Sequence, residues 1–140
     1  MALPNGAGGY QIGDGNTNEP VIQGIGLTAF TGATVTLTTA SLAGGLITLN
    51  GGTGGAVTAT TPTAAAIDAA FPSIRTGAGF VVRICNISTV AAEDATLAGG
   101  TGVTIVGKAV VNSNDGATDS GATFQFYRSG DAAYSAYRVS

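Results

Sequence analysis

The sequence predicts an all-β protein: a jelly-roll-like β-sandwich or barrel of about ten short strands, with one short helix and an extended N-terminal arm. Three observations support this prediction. Short runs of alternating apolar and polar residues recur about every ten residues, which is typical of sandwiches and barrels. Glycine-rich turns separate these runs, and the 140 residues include 23 Gly. Only one segment carries helix signals, and it lies between the two halves of the strand pattern.

The first twenty residues differ from the rest in composition. They are rich in Gly and Asn, and Leu3, Tyr10 and Ile12 are the apolar side chains that could anchor them. Such a segment cannot bury enough surface to form a core of its own. We therefore divide the chain into a flexible N-terminal arm, residues 1–20, and a single β-rich domain, residues 21–140. The arm is expected to become ordered only against a partner.

Apolar alternation predicts strands along the rest of the chain. They fall at 21–30, 33–38, 45–49 and 56–60 before the helix, and at 80–87, 95–98, 103–106, 109–112, 123–128 and 134–139 after it. The strand over 80–87 has the clearest pattern, with Val82 and Ile84 on one face and Val81, Arg83 and Cys85 on the other. Because both faces are largely apolar, we expect this strand to be central and covered on both sides.

The helix is predicted between Thr61 and Pro72. Thr61 is a suitable N-cap, Pro62 suits the first helical position, and a run of strong helix formers follows until Pro72 ends it. Ile67 and Phe71 are four residues apart, so they should share the buried face.

Charged residues are scarce. Charged side chains make up 9% of the chain, five basic and eight acidic, against about a quarter in a typical soluble domain. Surfaces poor in Lys and Glu are typical of the buried part of protein interfaces. We therefore expect the chain to be a subunit of an assembly rather than a free monomer. The C-terminal tyrosines, Tyr127, Tyr134 and Tyr137, are candidates for the seam between subunits, with a glycan site as the alternative.

The chemistry that the chain can perform is limited by its composition. With no His, the Ser-His-Asp and Cys-His arrangements are excluded. Glu93 and Asp94 are sequence neighbours and are predicted to lie in a solvated turn. The glycine-rich segments 51–55 and 99–102 are predicted to be hairpin turns rather than phosphate cradles, because no Lys-Ser/Thr pair and no helix follows them. We predict no catalytic residue and no cofactor, and do not expect an enzyme.

The polar segment 112–121 is predicted to be an exposed loop. Asn112, Asn114, Asp115 and Asp119 offer oxygen ligands, but the spacing does not fit an EF-hand and the terminal bidentate Glu is missing. We therefore predict no metal site there. Cys85 is the single Cys of the chain and lies in an apolar run, so a buried, unreactive thiol is expected.

Two classes of partner are also excluded. The five basic residues are scattered, without the basic stripe that a phosphate backbone requires. No apolar run approaches the roughly 20 residues of a membrane helix. The chain therefore predicts neither a nucleic-acid nor a membrane partner. Since the N-terminus lacks the basic and apolar regions of a secretory signal, we expect assembly in a cytoplasm.

Residues 51–102 carry a family resemblance. Their segments TPTAAAI (61–67), GFVVRICN (79–86) and LAGGTGVTI (97–105) resemble small β-rich virion proteins of tailed bacteriophages, in particular capsid decoration, or cement, proteins. The resemblance implies a trimer on the outer capsid surface that bridges subunits of the major capsid protein. Leu3, Tyr10 and Ile12 are then the candidates for the capsid contact.

Two other classes of function stay open from the sequence. A tail or head-fibre module that binds a host surface receptor would use the tyrosines and the 112–121 loop. A carbohydrate-binding module or a small enzyme is the third possibility.

Overall fold

The computed structural model describes residues 24–116 and 119–140, which form two β-sheets and two short helices. In chain order the elements are β1 (Gly26–Thr31), β2 (Thr34–Thr36), α1 (Thr39–Gly44), β3 (Gly45–Asn50), β4 (Val57–Thr60), α2 (Ala64–Ala70), β5 (Gly79–Asn86), β6 (Ala95–Ala98), β7 (Val103–Val106), β8 (Val110–Val111), β9 (Gly121–Gly130) and β10 (Ala133–Arg138). The prediction of a mainly β protein is confirmed. The arm predicted for residues 1–20, with Leu3, Tyr10 and Ile12, lies outside the described residues.

Successive strands alternate between the two sheets. The larger sheet has the order β1-β3-β5-β9-β10-β7 and the smaller has β2-β4-β6-β8. Five of the eight pairings between described strands are parallel, whereas a jelly roll is built from antiparallel neighbours. The jelly-roll part of the prediction is therefore not confirmed. The difference arises because the chain crosses to the other sheet after each strand from β1 to β8, rather than returning as a hairpin.

The glycine-rich segments make these crossings. Residues 51–55 join β3 in the larger sheet to β4 in the smaller, and residues 99–102 join β6 to β7 in the opposite direction. The prediction of hairpin turns is wrong for both. Glycine is needed for close approach instead: a Cβ on Gly51 would lie 2.6 Å from the carboxyl carbon of Glu93, and one on Gly100 would lie 2.5 Å from the carbonyl oxygen of Thr61.

The hydrophobic core lies between the two sheets. Val82 and Ile84 are buried, and Phe80 stacks on Phe126 with 4.9 Å between ring centroids. The predicted alternation in β5 is thus confirmed. The expectation that β5 is covered on both sides is not, because Val81 and Arg83 are exposed on the other face.

Helix α2 begins two residues later than predicted. Its N-cap is Thr63, whose hydroxyl oxygen accepts from the N–H of Ala66 at 3.2 Å. The predicted cap, Thr61, is buried, and its hydroxyl oxygen accepts from the N–H of Gly100 at 2.9 Å. Thr61 therefore anchors the β6–β7 crossing. Ile67 is fully buried as predicted, and Phe71 packs against the core.

Helix α1 was not predicted, because its six residues are too few to show helical periodicity. Reciprocal hydrogen bonds between Thr38 and Ser41 form a capping box at its start, 3.1 Å in each direction. Gly45 ends it in the left-handed conformation, with φ of 81°.

The register of β5 can be tested by truncating neighbours on its two faces. We expect Val82→Ala to lower the free energy of unfolding by about 1 to 4 kcal/mol, because it leaves a cavity in the core. The matched change Val81→Ala, on the exposed face of the same strand, should cost less than about 0.5 kcal/mol, as surface changes usually do. Chemical denaturation of both variants gives the comparison. Equal losses would show that the assignment of inner and outer faces is wrong.

Candidate functional site: the outer face of the larger sheet

Glu93 was predicted to lie in a solvated turn, and this prediction is wrong. It is 1% exposed. Its Oε1 accepts hydrogen bonds from the backbone N–H groups of Thr53 at 2.8 Å and Gly54 at 2.6 Å, and its Oε2 accepts from the hydroxyl of Ser88. The 51–55 segment does bind an anion, but the anion is the chain's own carboxylate.

These hydrogen bonds keep Glu93 ionised. The Ser88 hydroxyl, followed by the N–H of Gly54, lowers the pKa of Glu93 to about 2, although burial acts in the opposite direction. A carboxylate with so low a pKa is a poor proton donor or acceptor near neutral pH. Glu93 is therefore a structural anion that holds the β3–β4 crossing.

Asn86 extends this network to two further segments. Its side-chain amide donates to the carbonyl of Glu93 at 2.8 Å and to that of Val111, at the end of β8, at 3.3 Å. Its side-chain oxygen accepts from the N–H of Ser88 at 3.1 Å. Asp94 adds one bond, from the N–H of Ser113 at 2.8 Å. The side chains of Glu93 and Asp94 therefore bind different backbone groups, and they do not form the paired carboxylates of a catalytic site.

A second polar cluster joins α2 to the β9–β10 hairpin. Asp68 lies 2.9 Å from the guanidinium of Arg128, accepts from the N–H of Ala132 at 2.8 Å and accepts from the hydroxyl of Tyr134 at 2.8 Å. The Ala132 N–H, then Arg128 and Tyr134, lowers the pKa of Asp68. Burial and the Asp68 contact raise the pKa of Tyr134 to about 12. This cluster fixes the hairpin against the helix.

The same cluster corrects one predicted seam residue. Tyr134 is 1% exposed, so its ring packs within its own chain and is not available to a second subunit. Tyr127 and Tyr137 are 40% and 42% exposed, and they point to the outer face of the larger sheet.

The described part of the 112–121 loop is exposed at Asn114, Asp115 and Asp119, as predicted. The N–H of Asn114 donates to the carbonyl of Ser88 at 2.6 Å. Within residues 24–116 and 119–140, no group of three or more Cys, Asp or Glu is placed to hold a metal ion.

The largest candidate surface is the outer face of the six-stranded sheet. On each strand its residues alternate with buried ones, and the strand register brings them together. It comprises Leu27, Ala29, Thr31, Leu46, Thr48, Asn50, Val81, Arg83, Cys85, Thr123, Gln125, Tyr127, Ser135, Tyr137, Thr104 and Val106. Arg83 is the one charged residue among them. An outward face this poor in charge is typical of a protein contact.

Three features of this outer face are relevant to binding. Val81, Gln125, Tyr137 and Val106 lie side by side across four strands, which makes an exposed, mainly apolar row. Arg83 has no hydrogen-bond or ion-pair partner within the described residues. Cys85, predicted to be buried, is only partly buried here.

The smaller sheet has a threonine-rich outer face. Thr34, Thr58 and Thr96 lie in register across three parallel strands, and Thr36 and Thr60 form a second row beside them. Sequence reasoning did not identify either face, because each depends on which strands become neighbours. The available signal was the alternation of Thr with apolar residues in TVT (34–36) and VTAT (57–60).

Comparisons with known proteins give no relative, since no family model, no curated protein and no solved structure matches the chain. Within the described part of the chain, no helix has both the length and the hydropathy that crossing a membrane requires.

The role of Glu93 can be tested through the pH dependence of stability. The unfolded chain takes up a proton at Glu93 near pH 4.5, whereas the folded chain resists until about pH 2. The stabilisation by this group is thus complete above about pH 4.5 and is lost as the pH falls toward 2. We expect Glu93→Gln to lower the melting temperature at pH 7 and to flatten its dependence on pH in that window.

Asp131→Asn is the control, because its side chain is fully exposed in a surface ion pair with Arg128 and such pairs contribute little. Its melting curves should resemble those of the wild type. If the curves of Glu93→Gln run parallel to those of the wild type between pH 4.5 and 2, the buried carboxylate does not have the role described.

Proposed function

We propose that this protein is a viral structural component: a capsid decoration protein that forms homotrimers on the outer surface of a tailed-bacteriophage head and stabilises it by bridging capsid subunits. The observation that carries the proposal is the outer face of the six-stranded sheet, where Arg83 is the one charge among sixteen outward residues. Depletion of charged residues is typical of the central part of protein interfaces.

The use of the ionisable groups supports a role in assembly rather than in catalysis. Glu93 is bound to a crossing loop, and Asp68 and Arg128 are bound to each other. The guanidinium of Arg138 donates to the carbonyls of Lys108, Val110 and Gly121. These charges hold the fold together, so none of the four is left to act on a substrate.

Attachment to the capsid is assigned to the extended N-terminal arm, residues 1–20, through Leu3, Tyr10 and Ile12. Since many copies act on one lattice, each contact can be weak and the shell still gains stability. Trimerisation itself is assigned to the outer face, with Tyr127 and Tyr137 in the seam. The protein would then belong to the virion after assembly in the host cytoplasm.

The receptor-binding alternative is less well supported by the geometry. In that alternative, the tyrosines and the 112–121 loop form one site. The loop enters β9 at Gly121, and Tyr127 lies six residues further along the strand, a distance of about 20 Å. Tyr127 is therefore too far from the loop for both to contact one small epitope, although Tyr137, opposite Gln125, lies nearer.

The first test is the state of the protein in solution and its binding to capsids. Light scattering should give about three times the subunit mass of 13.6 kDa. Co-expression with the major capsid protein of the same genome should yield empty, tail-less capsids that carry this protein through purification. A receptor-binding fibre module would instead need tailed particles or host cells. A monomer that does not co-purify with capsids would contradict the proposal.

The arm is tested separately. We expect deletion of residues 2–19 to leave the trimer and its melting temperature nearly unchanged but to weaken capsid binding. Tyr10→Ala and Ile12→Ala should each reproduce part of the loss. Undiminished decoration by the truncated protein would move the capsid contact to the β-rich domain.

A further inference from the structure

We propose that residues 19–23 fold back over the outer face of their own chain and place the carboxylate of Glu19 on the guanidinium of Arg83. The contact covers a recess of about 360 Å³, which is lined by Gly24, Ile25, Ala43, Gly44, Gly45, Val81 and Arg83. It holds the end of the N-terminal arm and so fixes where the rest of the arm leaves the β-rich domain. This inference goes beyond the proposed function and does not depend on it, because the contact lies within one chain.

The recess exists because most of its lining residues are small. Four of the seven are Gly or Ala. A Cβ on Gly44 would lie 2.3 Å from the carbonyl oxygen of Gly26, so a larger residue would force the end of α1 away from β1. The side chain of Ile25 stands beside this hollow and is 59% exposed. The hollow is therefore bordered by an aliphatic side chain and by the cation of Arg83.

This cation has no counter-ion among the described residues. Within residues 24–116 and 119–140, Arg83 makes no hydrogen bond and no ion pair. Arg128, by contrast, is paired with a carboxylate, and Arg138 is bound to backbone carbonyls. A carboxylate placed beside Arg83 gains charge-assisted hydrogen bonds, which are stronger and more directional than neutral ones.

The segment that enters the structure at this recess has the complementary charge. Gly24 is the first described residue, and it lines the recess itself. Residues 1–23 contain two acidic side chains, Asp14 and Glu19, and no Lys or Arg. The carboxylates nearest in sequence to the recess are thus supplied by the chain that leads into it.

Glu19 is near enough in the chain to reach Arg83. Arg83 lies opposite Leu46 in the sheet register, and Leu46 lies opposite Leu27. Two strand spacings across the sheet and three residues along β1 therefore separate Arg83 from Gly24, about 14 Å between Cα atoms. Five residues of extended chain span up to about 17 Å. The residue after Glu19 is a proline, which favours an extended conformation at Glu19.

The same path covers apolar surface. Val21 and Ile22 follow Glu19 in the sequence, and on this path they pass over Leu27 and Leu46. The side chain of Leu27 is 62% exposed. Because a surface ion pair alone contributes little, burial of these aliphatic side chains supplies most of the attraction. The ion pair determines where the segment lies.

Exchange of the two charges, read out by proteolysis, tests the contact. Thermolysin cleaves before aliphatic residues, so the rate of cleavage between Val21 and Ile22 reports whether the segment is docked. In the folded protein we expect this cleavage to be about tenfold slower than in a synthetic peptide of residues 1–30. Glu19→Lys and Arg83→Glu should each restore fast cleavage. The double variant, which exchanges the charges, should be protected again.

Asp14→Lys is the matched control. It makes the same change of charge, but its loop to Gly24 is twice as long and costs more to close, so protection should remain. Chains of Glu19→Lys and Arg83→Glu refolded together should stay unprotected, because a contact within one chain cannot be restored by a second chain.

Three results overturn the inference: a wild type that is cleaved as fast as its peptide, a folded double variant that stays unprotected, and a mixture that regains protection. The last would assign the recess to the arm of a neighbouring subunit. Melting curves verify that each variant is folded. Subunit mass and capsid binding are measured separately, so these results leave the proposed function to its own tests.

Discussion

The buried carboxylate of Glu93 is the interaction on which the two-sheet arrangement depends. A chain that changes sheet after almost every strand must place its crossing loops where the backbone of each is near the core. The N–H groups of Thr53 and Gly54 find their acceptor in the carboxylate of Glu93, which is itself 1% exposed and would be costly to bury without such hydrogen bonds. Glu93 supplies that acceptor from the β5–β6 connection, and Asn86 extends the network to β8. The carboxylate of Glu93 and the side-chain amide of Asn86 thus connect three loops between the sheets. Among the described residues, these loops have no other partner in common.

The use of charged side chains inside the fold also explains why the outer faces carry so few of them. Four of the ionised groups described in the structure are engaged in positioning backbone: Glu93 at the first crossing, Asp68 and Arg128 at the hairpin, and Arg138 along β8. Few charges are left for the two outer faces, and these faces carry Thr, Val, Tyr and small residues instead. A protein built in this way exposes low-charge sheets as a direct consequence of how its fold is stabilised. Self-association is then the simplest way to cover them.

Local patterns predicted from the sequence agree with the structure, and long-range ones do not. The alternation of Val82 and Ile84 with Val81 and Arg83 is a property of one strand, and it was read correctly. The helix was placed within two residues, although Thr63 rather than Thr61 caps it. The largely parallel strand order, the burial of Glu93 and the burial of Tyr134 were missed because each depends on partners far away in the sequence. The N–H of Thr53 is 40 residues from Glu93, and Asp68 is 66 residues from Tyr134. The low content of charged residues predicted that a contact surface exists. It could not say which residues form that surface, because the strand register brings them together from six strands.

The guanidinium of Arg138 has one more consequence, for the way in which such a molecule avoids uncontrolled growth. It donates to the carbonyls of Lys108 and Val110, at the outermost strand of the smaller sheet, and so occupies the acceptors that an incoming strand would need. Open strand edges on charge-poor, threonine-rich sheets are templates for fibrils. With these two carbonyls occupied, the backbone of a neighbour has fewer partners with which to extend the smaller sheet on that side. At high protein concentration, the occupied acceptors disfavour growth of this sheet into an insoluble filament.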